Sequence, residues 1–254
     1  MRTWIIALAA LATSTVVFSA DKPKVRACHE NEDSHPWILK DKPGLNIIMF
    51  RAVEKQTGGK IETVPLPWKR CLEEVKAGTM DAAFKISYSA QRAAEMGSYP
   101  MVGDKPDASK RMLMDSYSLY RLKGSAVEWD GKTLKATGSV GAQSGFSVVE
   151  QLKSMGLAVD DGSRSPDDNL KKLVNGRFSV LALQTDEGDS KVAGNPEFSG
   201  KIERIKPALI EKPYFLMFSK SFAAKNPDYV KEVWSAIAQV RESAEYTSAA
   251  KSFK

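Results

Sequence analysis

Apolar positions along the chain change period repeatedly, and the changes mark its elements. Val25 to Ala27 reads as a short strand. Leu45, Ile48, Met49, Ala52 and Val53 recur at i, i+3, i+4, i+7 and i+8. That spacing predicts a helix with one apolar stripe, ended by Gly58-Gly59 as a C-cap. Ile61 to Leu66 is strand-like, Pro67-Trp68-Lys69-Arg70 opens a second helix that stops at Gly78, and Asp81 to Ile86 is a third strand. The order β-α-β-α-β is the grammar of a parallel sheet covered by helices.

A second such run follows. Met112 to Leu122 is a long strand without helical period. Val140 to Ala142 is a strand leading into a helix through Val148, Val149, Leu152 and Met155, where Ser147 and Glu150 have capping-box spacing. Ser165-Pro166-Asp167-Asp168 is a helix start, with an N-cap, proline in the first turn and acids behind it. Phe178 to Leu183 reads as a buried strand, and Ile202 to Ile205 and Tyr214 to Phe218 as two more. Asn226-Pro227-Asp228 starts a last long helix with the stripe Val230, Val233, Trp234, Ile237 and Val240. At about 150 residues per domain, 254 residues allow one large unit or two modest ones.

The first twenty residues do not belong to this pattern. Arg2, an apolar run from Trp4 to Phe18, and Phe18-Ser19-Ala20 before Asp21 have the layout of a secretory signal. The expectation is export and a soluble mature protein. In that compartment Cys28 and Cys71, the two cysteines of the chain, are most simply a disulfide. Two cysteines cannot make a zinc site, and His29 and His35 share one loop, so neither a metal nor a cofactor is expected. The net charge of +6 is dispersed, which suits small anions and, without a Lys/Arg cluster, gives no nucleic-acid partner.

Several segments then coincide, in order, with a known family. They are Pro36-Trp37, Gly44-Leu45, Lys76-Ala77-Gly78-Thr79-Met80-Asp81, Ser87-Tyr88-Ser89-Ala90-Gln91-Arg92, Gly141-Ala142-Gln143-Ser144-Gly145-Phe146 and Asn175-Gly176-Arg177-Phe178. Over about residues 24 to 250 the chain resembles bacterial periplasmic solute-binding proteins of family 3, which serve polar amino acid ABC transporters. The resemblance implies the type II periplasmic-binding-protein fold: two α/β lobes joined by a hinge of two crossover segments. Lobe 1 would be residues 21–114 plus 213–254, and lobe 2 residues 115–212. It also implies a monomer that holds an amino acid or organic anion between its lobes and delivers it to an ABC permease or a sensor domain. A dehydratase-like enzyme on the same scaffold is the alternative.

The resemblance assigns Arg92 to the ligand carboxylate, with Ser87 beside it. A planar guanidinium suits that task because it grips a carboxylate through two parallel charged hydrogen bonds. Ser144, Gly145 and Phe146 would offer backbone N–H groups at a helix start. Trp37 and Trp68 would supply aromatic walls, and Arg70 a second cation at the cleft mouth. The chain departs from the family at Gln184, where amino-acid binders place an aspartate for the ligand ammonium. Glutamine hydrogen-bonds but cannot neutralise a charge. Either Asp186 takes the role, or Glu30, Glu32 or Asp33 does, or the ligand lacks an α-ammonium.

Overall fold

A computed structural model describes residues 21–253; the expected signal sequence, residues 1–20, lies outside the described residues. Strand β1 is Lys24–Glu30, α1 Leu45–Thr57, β2 Lys60–Leu66, α2 Trp68–Ala77 and β3 Ala82–Ser87, with α3 at Ala90–Glu95. Short strands β4 (Gly97–Ser98), β5 (Met101–Val102) and β6 (Lys105–Pro106) precede the long β7, Leu113–Leu122. A small hairpin follows, β8 (Glu128–Trp129) with β9 (Leu134–Lys135). The second run is β10 (Val140–Gln143), α4 (Ser147–Ser154), β11 (Val159–Ser163), α5 (Pro166–Val174) and β12 (Val180–Gln184). Helices α6 (Thr185–Gly194) and α7 (Pro196–Ser199) lead to β13, Ile202–Ser219, and the chain closes with α8 (Lys220–Lys225), α9 (Pro227–Glu242) and α10 (Ala244–Lys251).

One sheet runs through the molecule in the order β11-β10-β12-β7-β13-β3-β1-β2. Its two flanks are parallel: β1 pairs with β2 and β3, and β10 with β11 and β12. Between them β7 and β13 are antiparallel to each other and to their outer neighbours. This is the mixed α/β architecture of type II periplasmic binding proteins, and β7 and β13 are its two crossover segments.

Each flank buries both faces of its strands. In the first, Val25, Ala27, Ala82 and Phe84 pack with Met49, Val53, Val233 and Ile237 of α1 and α9. Cys28, Ala83 and Ile86 pack with Leu72 and Val75 of α2 on the opposite face. In the second, Val180 and Ala182 face Val148 and Leu152 of α4, while Leu181 and Leu183 face Leu170 and Leu173 of α5. Helix punctuation follows the expected residues. Gly58, Gly78, Gly156 and Gly176 have positive φ at or just past helix ends. Ser165 accepts from the Asp168 N–H, a cap worth about 1 kcal/mol.

Some expectations require correction. The two strands predicted over Ile202–Ile205 and Tyr214–Phe218 are parts of one eighteen-residue strand. Its register against β7 shifts between Ile205 and Ile210, so Pro207 sits off the ladder and reads as a break. Strand β11 escaped notice because its sequence, Val159-Asp160-Asp161-Gly162-Ser163, has one apolar side chain. The capping box at α4 does not form: Phe146 is the N-cap, without a side-chain cap bond, and the Ser147 hydroxyl is used elsewhere.

Cys28 on β1 and Cys71 on α2 form a disulfide, and both residues are fully buried. It closes a loop of 43 residues, for which chain-entropy reasoning gives about 4 kcal/mol. Replacing both cysteines with alanine is therefore expected to lower unfolding free energy by about 3–4 kcal/mol in urea titrations; an unchanged midpoint would show that packing alone holds α2 on β1.

Candidate functional site

The carboxyl ends of β1, β3 and β12 point toward one cavity, the place where open α/β sheets take ligands. Its empty space is about 450 Å³, counting its open mouth. Glu30, Trp68, Lys85, Ser87 and Arg92 come from the first flank, Phe146, Ser147, Gln184 and Glu187 from the second, and Tyr117 and Tyr214 from β7 and β13.

Arg92, on the short helix α3, is the one buried arginine among the described residues. Ser89 caps that helix by accepting from the Arg92 N–H, which fixes where the side chain starts. The guanidinium donates from Nη1 to the Ser87 carbonyl at 3.2 Å and from Nη2 to the Gly145 carbonyl at 3.1 Å. It lies 5.8 Å from the ring centroid of Trp68, whose own ring is 6.2 Å from that of Phe146. The Ser87 and Ser147 hydroxyls meet at 2.9 Å, and Lys212 Nζ reaches Ser147 Oγ at 3.4 Å. Burial pulls the Lys212 ammonium below its ordinary pKa.

The other end of the cavity is built round Lys85. Strict alternation on β3 would put residues 82, 84 and 86 on one face. Instead Ala82 and Phe84 face α1 and α9, whereas Ile86 joins Ala83 on the α2 face. The register against β13 shifts at this point: Phe215 pairs with Ile86 and Leu216 with Phe84, leaving Lys85 as the extra residue of a bulge. Its φ is +53°, a left-handed value that costs a lysine energy and turns the side chain out of the core into the cavity wall. Nζ donates to Ser34 Oγ at 2.5 Å and to Gln184 Oε1 at 2.6 Å, and stands 3.5 Å from Asp115 Oδ2. Gln184 Nε2 in turn donates to the Tyr214 hydroxyl at 2.8 Å.

Two buried carboxyls face this end. Burial pushes Asp115 up to about 6, with the Lys85 ammonium pulling the other way. Burial likewise pushes Glu187 up to about 7. Among the described residues, Glu187 Oε2 and Asp115 Oδ2 have no hydrogen-bond partner. Glu30 differs: its oxygens accept from the Asn31 N–H at 2.7 Å and the Trp68 N–H at 3.2 Å, and Arg164 lies 3.4 Å away. It holds the start of α2 in place.

Of the residues singled out from sequence, Arg92, Ser87, Trp68, Phe146 and Gln184 gather round this cavity. Gly145 contributes its carbonyl to Arg92 where N–H groups were expected. Ser144 donates its N–H to Ser163 in the strand-to-helix turn and does not line the cavity. Trp37 packs against the α1 core, because its loop folds back through the Ser34–Ile38 bridge; Ile38 takes the place at the wall. The Arg70 side chain is 67% exposed and pairs with Glu74, since Trp68, Cys71, Leu72 and Val75 occupy the inner face of α2. Asp186 is exposed; Glu32 pairs with Lys40, and Asp33 accepts from the Lys40 N–H. None of those three lines the cavity. Lys85 was overlooked, although a single charge inside the apolar run Ala82–Ile86 was its signal. Glu187 and Asp115 left no comparable mark.

Residues 30–253 match the pattern that defines the bacterial extracellular solute-binding proteins, family 3. The chain belongs to that family. Among solved structures, a histidine kinase sensor domain with similarity to periplasmic binding proteins superposes with a TM-score of 0.74 at 15% identity, covering 92% of this chain and 96% of that one. An ancestral arginine-binding protein bound to arginine gives 0.71 at 17% identity, over 92% and 99%. A proposed binding component of an ABC transporter from Wolinella succinogenes, complexed with lysine, gives 0.70 at 16%, over 89% and 93%. At these identities the likeness is one of fold. No curated protein sequence matches the chain. Among the described residues of this family 3 protein, no helix is long and apolar enough to cross a membrane.

The raised carboxyls make a pH prediction. A carboxyl bound more tightly to its proton when folded stabilises the fold below its unfolded pKa, near 4, and loses that contribution as pH rises through its folded value. Wild-type stability should therefore carry a decline through about pH 6 and about pH 7. Glu187→Gln removes the upper part, so its Tm profile should be flatter than wild type there. Parallel profiles in thermal unfolding would show that Glu187 titrates as an ordinary surface carboxyl.

Proposed function

We propose that this protein captures a small carboxylate-bearing solute, an amino acid or related organic acid, between two lobes. In this reading residues 21–114 plus 213–254 form one lobe and 115–212 the other. The protein acts in the periplasm as a monomer, and its closed form is what an ABC permease or a sensor domain recognises. Capture involves no covalent step.

The observation that carries this reading is the Arg92 guanidinium. Its side chain offers five N–H donors, and the two bonds to the Ser87 and Gly145 carbonyls fix it without neutralising its charge. A buried guanidinium with no carboxylate among its hydrogen-bond partners attracts an anion strongly, since burial weakens solvent screening. Trp68 beneath it and Phe146 opposite give an apolar side chain its surface. A solute touching Arg92, Ser87 and Trp68 on one side and Phe146, Ser147 and Gln184 on the other favours closure, because its affinity for the closed form includes contacts the open form lacks.

The test is a thermal-shift screen of amino acids and small organic acids. A solute at 100 times its Kd should add about 2.7 kcal/mol of stability. Arg92→Ala should weaken any carboxylate hit by at least about tenfold, a loss of about 1.4 kcal/mol or more, by titration calorimetry. Full affinity in that variant overturns the reading.

A further inference from the structure

We propose that Lys85 is the specificity-determining cation of this site, and that the solute is a carboxylate whose neighbouring polar group is an oxo or hydroxyl acceptor in place of an α-ammonium. The inference rests on the carboxylate reading of Arg92 and deepens it.

A carboxylate held by Arg92 carries its α-substituent on the next carbon, so that group stays inside the cavity. Three polar groups at the inner end of the cavity already serve another ammonium. Ser34 Oγ and Gln184 Oε1 both accept from Lys85 Nζ, and Asp115 stands 3.5 Å from it. Gln184, at the end of β12, is neutral and buried, so it offers no charge to an ammonium. Of the other cavity hydroxyls, Ser87 and Ser147 bond each other and Tyr214 accepts from Gln184 Nε2. An ammonium on the solute would thus share the cavity with two buried cations, Arg92 and Lys85, where burial magnifies like-charge repulsion. An acceptor fares better. An ammonium has three N–H donors; Lys85 gives two to Ser34 and Gln184 at 2.5 and 2.6 Å, and Asp115, at 3.5 Å, holds the third only loosely. The third is available to an oxo or hydroxyl oxygen.

The backbone supports a demand on this side chain. Lys85 is the one non-glycine residue with positive φ among the described residues, and it is the extra residue of a bulge in an otherwise apolar strand. Strain of this kind persists where surroundings impose it. Two cavity carboxyls compete as receptors for an ammonium: Glu30, whose oxygens are held by the Asn31 and Trp68 N–H groups with Arg164 3.4 Å away, and Glu187, which has an orphaned oxygen among the described residues and which burial raises to about 7, toward the protonated form that donates.

The experiment uses the protein from residue 21 onward, refolded from denaturant to remove carried-over solute. Matched pairs are titrated by calorimetry: L-glutamate with 2-oxoglutarate, L-leucine with 4-methyl-2-oxopentanoate, L-phenylalanine with phenylpyruvate, and the 2-hydroxy acid of each. In every pair that binds, the oxo or hydroxy acid should bind about tenfold tighter or more than its amino partner. Lys85→Met should erase that preference. Because Lys85→Met leaves Asp115 buried without a counter-charge, the neutral double variant Lys85→Met/Asp115→Asn is measured alongside it, with folding checked by circular dichroism. An amino acid that binds as tightly as its oxo partner, and still needs Arg92, overturns the inference and leaves the carboxylate reading intact. A preference that survives in the folded double variant also overturns it. Binding that is indifferent to Arg92 overturns both.

Discussion

Strands β7 and β13 pair antiparallel through the middle of the sheet, and every polar group of the cavity is placed relative to that ladder. Tyr117 and Tyr214 project from it. Asp115 lies on it, under Lys85. Strand β3 reaches it through Tyr214 to Phe218, and β12 through Tyr117 to Arg121. The main apolar clusters of the two flanks are distinct, and these two strands carry the chain between them, while Lys85–Gln184, Ser87–Ser147, Arg92–Gly145 and Arg164–Asn31 bonds cross the cleft.

Electrostatics at the seam follow from burial. Lys85 and Asp115 leave water together, and the desolvation this costs is offset only partly by their attraction, because the pair is not hydrogen-bonded. Ser34 and Gln184 supply the hydrogen bonds that make the ammonium tolerable. Gln184 therefore has a definite reason to be neutral. An aspartate there would add a third buried carboxyl beside Asp115 and Glu187, both of which burial already pushes toward protonation. The departure at position 184 and the lysine at position 85 are two halves of one arrangement, joined by a 2.6 Å bond across the cleft.

Much of the fold was legible because the residues that set it act locally. Helix stripes, the Ser165 cap and the glycines closing α1, α2, α4 and α5 depend on spacing alone. The site was legible where a residue's chemistry is rare in its surroundings: Arg92 after two serines, Gln184 at a strand end. It was illegible where position depends on folding back over distance. Trp37 lies on a polar loop, yet that loop turns through the Ser34–Ile38 bridge and presents Ile38. Arg70 lies two residues from Trp68, about 200° round the helix, so burying one exposes the other. The extent of β13 was hidden by Pro207, whose place off the ladder is a tertiary fact.

The bulge at Lys85 is the point where local and distant constraints meet. Without it, alternation would send residue 85 to the face occupied by Ala83, against α2 and beside the Cys28–Cys71 disulfide. A charged amine has no acceptors in that apolar cluster, so regular pairing would bury an unpaired cation. One extra residue on β3 shifts the phase, returns Ile86 to the α2 face, and gives the amine the cleft. The strand thus keeps its core and its polar group at once. The same shift explains why the apolar run Ala82–Ile86 contains a lysine at all: the sequence is regular on both sides of it, and the irregularity is one residue long.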